Sequence, residues 1–167
     1  MTTGKLLEFN TSRWLMPLRD HPLRAIAILL AYMALARLSV FITLPDSPIT
    51  AVWLPSGFAL AIMFIYGDRS LPVLFISALA SAASDFLLNT QSISDALILT
   101  ASFSILNTLQ PYLIYHFFIN VTNASYPFDR DRNLLAFLLG SVLVIVATST
   151  LLAMLVNFVQ PDNQMLP

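Results

Sequence analysis

Residues 51–88 read AVWLPSGFALAIMFIYGDRSLPVLFISALASAASDFLL, and how this run divides decides the fold. It is apolar almost throughout, and Arg69 interrupts it near the middle. A membrane-crossing helix needs about 17–25 predominantly apolar residues, so the run, with the two residues before it, is expected to hold two spans, 49–66 and 71–88. Pro55 and Gly57 are the residue types least suited to a helix interior, yet they flank Ser56 inside the first span. A helix running only from Pro55 to Tyr66 would be about 18 Å long, against a hydrocarbon core of about 30 Å. The residues before Pro55 are therefore expected at membrane depth too. Either the helix is kinked at Pro55, or irregular backbone leads into it where protein or water satisfies the polar groups. Trp53 suits the outer interface, and Gly57 is expected to let another helix or a ligand come close.

The rest of the chain agrees with a membrane setting. Of its 167 residues 57% are hydrophobic and only 10% charged, with mean hydropathy +0.78. A soluble domain has about a quarter of its residues charged, so this chain cannot cover a water-facing surface. Net charge is −1, which gives no basic character for nucleic acid. No cysteine is present, which excludes disulfides, thiolate metal sites and a cysteine nucleophile. Three further apolar segments, 23–44, 94–119 and 134–159, complete an all-α, polytopic integral membrane helix bundle of about five transmembrane helices. Residues 1–22 are expected as a cytoplasmic or interfacial segment, 23–160 as the bundle, and 161–167 as a periplasmic tail or truncation point. The first apolar run lacks a small-residue cleavage pattern and reads as an anchor.

Cations set the orientation. Lys5, Arg13 and Arg19 precede the first span and Arg24 stands at its very start, Arg69 lies between the second and third, and Arg130 and Arg132 lie between the fourth and fifth. All fall on one side, which the positive-inside rule makes cytoplasmic. The N-terminus is then inside and, after five crossings, the C-terminus outside. The sequons at Asn120 and Asn123 fall in a cytoplasmic loop and read as chance matches.

Polar residues at membrane depth are the candidate functional positions. Arg37 is the one cation left inside a span. Asp85, Asp95 and Asp46 share its half of the membrane, and Asp85 is the first choice of partner because it too lies within a span. The pair either locks two helices or takes part in ligand sensing. Asn107 and Gln110 stand three apart on one helix face, and Pro111 follows them, freeing a carbonyl near Asn107. They either line a cavity or bond a neighbouring helix. His116 reads as an interfacial residue, since no second histidine stands at ligand spacing. Small-residue faces, Ser77, Ala80, Ser81 and Ser84 in the third span and Gly140, Ser141, Thr148 and Ser149 in the fifth, suit close helix packing. No catalytic constellation, metal site or cofactor cradle is found.

The segment ITAVWLPSGFALAIMFIYGDRSLPVLFISALASAASDFLL, residues 49–88, resembles the core of the type-one membrane-associated sensor (MASE) family. The matching residues are Trp53, Pro55, Ser56 and Gly57 leading into a helix, then Gly67 and Arg69 in a short basic turn, then Leu71 and Pro72 opening the next helix. Leu71 stands where the family has an aromatic residue. Asn107 matches a later Asn, while Gln110 replaces the acid three residues on. The resemblance is strongest over residues 48–88 and extends to about residue 159. It implies a sensory input domain, without enzymatic activity, in the bacterial inner membrane. A cytoplasmic output module would serve as partner, a diguanylate cyclase of cyclic-di-GMP signalling, a phosphodiesterase or a histidine kinase. Such domains are typically about eight spans long, so five spans read as the first part of one. A homodimer is a second expected partnership, beside the lipid bilayer itself. The alternative from another class is a substrate-binding membrane subunit of a vitamin-type transporter, which Ala27-x-x-x-Ala31 fits loosely as a docking face. The ligand-sensing or packing candidates are thus Arg37, Trp53, Pro55, Ser56, Gly57, Asp85, Asn107 and Gln110.

Overall fold

The computed structural model describes residues 22–42, 53–89, 92–122 and 130–159. The N-terminal segment with Lys5, Arg13 and Arg19, the loop holding Asp46, the sequon at Asn123 and the 161–167 tail lie outside the described residues. Among the described residues five α-helices follow in order: α1 Pro22–Phe41, α2 Leu54–Tyr66, α3 Leu71–Asn89, α4 Ile93–Thr122 and α5 Asp131–Val159. A 3-10 turn, Gly67–Ser70, joins α2 to α3. Among the described residues, four stretches are long and apolar enough to cross a membrane: Pro22–Phe41, Leu54–Leu87, Ile93–Thr122 and Asp131–Val159.

The second of these stretches folds back on itself. The Leu54 N–H donates to Ser39 Oγ at 3.0 Å, and Arg37, two residues away on α1, bonds Asp85 at 2.6 Å. One straight helix would hold Leu54 and Asp85 roughly 46 Å apart at 1.5 Å per residue, beyond the reach of two neighbouring side chains. Trp53 and Phe86 repeat the point, since both rings stand edge-on to Phe103, with centroids 5.6 and 5.8 Å away. The reversal is made at Gly67, whose φ of 61° and ψ of −152° are open to glycine and strained for other residues. Its N–H still donates to the Met63 carbonyl, which closes the last turn of α2. Buried Ser70 donates to the Gly67 carbonyl at 2.7 Å and pins the turn from the other side.

Pro55 does not kink a longer helix. It is the second residue of α2, where its missing N–H breaks no intrahelical bond. Trp53 before it is non-helical, at φ −93° and ψ 89°. Between a kinked helix and an irregular lead-in, the irregular backbone at Trp53 is what forms. With 13 residues, α2 is about 20 Å long. The Leu54 N–H, an orphan donor at a helix start, is satisfied by the Ser39 hydroxyl, which itself donates to the Leu35 carbonyl at 2.9 Å.

Packing closes a ring. α2 and α3 each pack against both α1 and α4, and α5 lies on the outside of α4. The centre is filled by Ile28 and Tyr32 of α1, Ala59, Ile62 and Met63 of α2, and Leu74 and Ala78 of α3. Ser77 and Ser81 of α3 are buried, and small side chains let helices come close. On α5, Gly140 is buried where the Phe117 ring of α4 lies against its backbone. The polar ends sort as well. Gly67 and Asp68 neighbour Tyr115 and His116 of α4, and Phe118 touches Phe137 near the start of α5. Arg69, Arg130 and Arg132 therefore share one end of the bundle, and the Arg37–Asp85 pair lies toward the other.

Candidate functional site

α2 is the short helix, and its start leaves room between α4 and α5. At Trp53 the chain is still non-helical, and the half-buried indole reaches across to α4. Its Nε1–H donates to Asn107 Oδ1 at 3.1 Å, and its ring stands at 90° to Phe103. Asn107 is oriented by its own helix, because Nδ2 donates to the Phe103 carbonyl at 2.9 Å. Tyr32 of α1 is buried close to the same indole. Trp53 thus joins three helices at one point.

Beside this junction lies a cleft of about 230 Å³. Its polar lining comes from Trp53 and Ser56, from Asn107 and Gln110, and from Thr148 and Ser149. Phe103, Leu106, Ile145 and Leu152 supply the apolar walls. None of these side chains titrates near neutral pH, and no nucleophile stands beside a base. The lining is suited to holding a molecule by shape and hydrogen bonds, not to transferring protons. Two other grooves, one between α3 and α4 and one between α4 and α5, are lined almost wholly by apolar side chains. They differ from the cleft in offering almost nothing to a polar ligand.

Four of the eight candidate residues therefore meet in one place: Trp53, Ser56, Asn107 and Gln110. Pro55 is buried at the first turn beside them. Gly57 departs from expectation. It is exposed, and among the described residues nothing stands within 4 Å of a Cβ placed on it, so no other helix makes a close approach there. The glycine under conformational demand is Gly67. Thr148 and Ser149 read in the sequence as a packing face only, and α5 turns them into the third wall of the cleft.

Arg37 and Asp85 form a separate feature. Arg37 Nη1 bonds Asp85 Oδ1 at 2.6 Å, and Nη2 donates to Ser84 Oγ at 2.6 Å. Ser84 in turn donates to the Ser81 carbonyl at 2.7 Å, so the guanidinium is held by a seated pair of acceptors. The partner expected for Arg37 is the one observed, and neither residue lines the cleft. Asp95 lies at the start of α4, accepting from Ser94 at 3.3 Å.

His116 is not a solitary interfacial residue. Its Nε2 lies 2.8 Å from Asp68 Oδ1 in the α2–α3 turn, with the rings of Tyr112 and Tyr115 packed against it. Among the described residues no three His, Asp or Glu side chains gather as metal ligands would.

The MASE1 family model matches residues 23–164, and the chain belongs to that family. No curated protein and no solved structure matches it. MASE1 is a membrane sensor domain, so the matched region is a sensory module and not a catalytic one.

Proposed function

We propose that this MASE1 chain is the signal-input domain of a bacterial inner-membrane signalling protein, and that the cleft between α2, α4 and α5 is where the signal is received. The observation that carries this is the Trp53–Asn107 bond at the cleft wall. It couples the irregular start of one helix to the middle of another at membrane depth, where unsatisfied backbone is costly. A molecule moving into the cleft would compete for the same polar groups and shift both helices. The chain crosses the membrane five times, with α2 and α3 as separate passes joined at Gly67. The clustering of Arg69, Arg130 and Arg132 at one end supports a cytoplasmic placement of that end. The cleft, near the start of α2, then faces the periplasmic side. Arg37 and Asp85 act as a lock between α1 and α3. The output module is a cytoplasmic diguanylate cyclase, phosphodiesterase or histidine kinase, the kinds of partner that the family resemblance implies.

Ala27 and Ala31, which suggested a transporter docking face, carry no feature beyond their spacing, and family membership favours sensing. The coding sequence after codon 167 tests the choice. Further apolar segments and then a cyclase, phosphodiesterase or kinase module are expected. A stop codon beside transporter genes would overturn the sensory reading. In the protein that carries such a module, Asn107→Leu should change basal output by severalfold, and unchanged output would remove the cleft from the signalling route.

A further inference from the structure

We infer that the cleft takes a flat, uncharged molecule with a polar edge, such as an aryl amide, and that Gln110 is the residue that reads that edge. The inference rests on the cleft being the sensing site. Size comes first. A volume of about 230 Å³ is room for one aromatic ring with a small substituent. Charge comes second. No lining side chain is ionic, and an ion taken out of water without a paired countercharge is strongly disfavoured.

The hydrogen-bond inventory then selects the contact. Trp53 Nε1–H is engaged by Asn107, Asn107 Nδ2 by the Phe103 carbonyl, and Thr148 Oγ1 by the Val144 carbonyl at 2.9 Å. Among the described residues, the Gln110 amide and the Ser56 and Ser149 hydroxyls have no protein partner. Gln110 offers both a donor and an acceptor, which matches a ligand amide edge on edge. The Trp53 and Phe103 rings already stand edge-to-face, and a third flat ring is the shape such walls pack best.

Three probes of one shape separate the possibilities: benzamide, benzoate and benzamidinium, with charges of zero, minus one and plus one. The whole chain is placed in nanodiscs with Trp14→Phe, which leaves Trp53 as the sole tryptophan of the two in the sequence. Each probe is titrated while Trp53 emission and thermal stability are recorded. Benzamide should bind saturably and at least tenfold more tightly than either ion. Gln110→Leu should weaken benzamide at least fivefold, and Gln110→Glu should turn the preference to benzamidinium, which shows that the variant is folded and the contact direct. Equal or tighter binding of an ion by the unmodified chain overturns the uncharged class while leaving the cleft as the sensing site. A Trp53 signal unmoved by all three overturns the class and the sensing cleft together. Benzamide binding that survives both Gln110 variants unchanged removes Gln110 as the reading residue.

Discussion

The Arg37–Asp85 contact gives the sharpest energetic prediction, because its geometry sets the size of the effect. At 2.6 Å the Coulomb attraction lies between about 1.6 and about 6 kcal/mol for effective dielectric constants of about 80 and about 20. Half of the Arg37 side chain and a third of the Asp85 side chain are exposed, so screening holds the net value toward the lower bound. The second bond, to Ser84, is to a seated hydroxyl and adds about 1 kcal/mol. Asp85→Ala and Arg37→Ala should each cost about 2 kcal/mol, with a coupling energy of about 1–2 kcal/mol between them. The assay is a double-mutant cycle in nanodiscs, read as unfolding free energy in guanidinium chloride. Exchanging the charges, Arg37→Asp with Asp85→Arg, should recover part of the loss that either reversal causes alone. Strictly additive single and double losses would show that the two side chains do not interact, and the lock between α1 and α3 would fall with them.

Gly67→Ala should destabilise by about 1–3 kcal/mol, since φ of 61° with ψ of −152° strains any side chain; chemical denaturation measures it, and an unchanged midpoint would contradict the turn geometry. At Gly140 an added Cβ collides with the Phe117 ring, so Gly140→Ala should cost about 1 kcal/mol, the low end for overpacking because Phe117 is 40% exposed and can swing aside. The same substitution in a Phe117→Ala background should cost nothing measurable. Asn107→Leu should cost about 1–2 kcal/mol and move the Trp53 emission maximum, because the indole N–H loses its acceptor inside the bundle.

Much of this fold is legible in the sequence because periodic apolar length is a strong signal. α3, α4 and α5 end within about three residues of the spans expected, which is the scatter that helix-boundary reading carries. The start of α2 is harder, because length arithmetic cannot choose between a kink and a late beginning. Pro55 allows both, and the Ser39 hydroxyl waiting for the Leu54 N–H favours the late beginning. Spacing alone places Asn107 and Gln110 on one face, and shared depth matches Asp85 to Arg37. Thr148 and Ser149 cannot be assigned to a cleft from sequence, since α5 is apolar on nearly all sides and nothing in it says which face meets α4. The Asp68–His116 contact is equally hidden, because it joins a turn to a helix 48 residues away. Gly57 stands out beside Pro55, yet the conformational demand falls on Gly67. A glycine between a helix and a polar turn is the usual mark of a C-terminal cap, and that signal is present in the sequence.

The two-pass hairpin is tested most directly by labelling of single cysteines, which the cysteine-free chain permits. Arg69→Cys reports the α2–α3 turn, and Ser94→Cys reports the exposed start of α4. Spheroplasts are treated with a membrane-impermeant maleimide before and after permeabilisation. Two passes joined at Gly67 predict that position 94 is labelled from outside and position 69 only after the membrane is opened. If position 69 stays unlabelled under both conditions while position 94 reacts, the stretch Leu54–Leu87 lies across the bilayer as one pass. The hairpin, and with it the periplasm-facing cleft at Trp53, would then be contradicted.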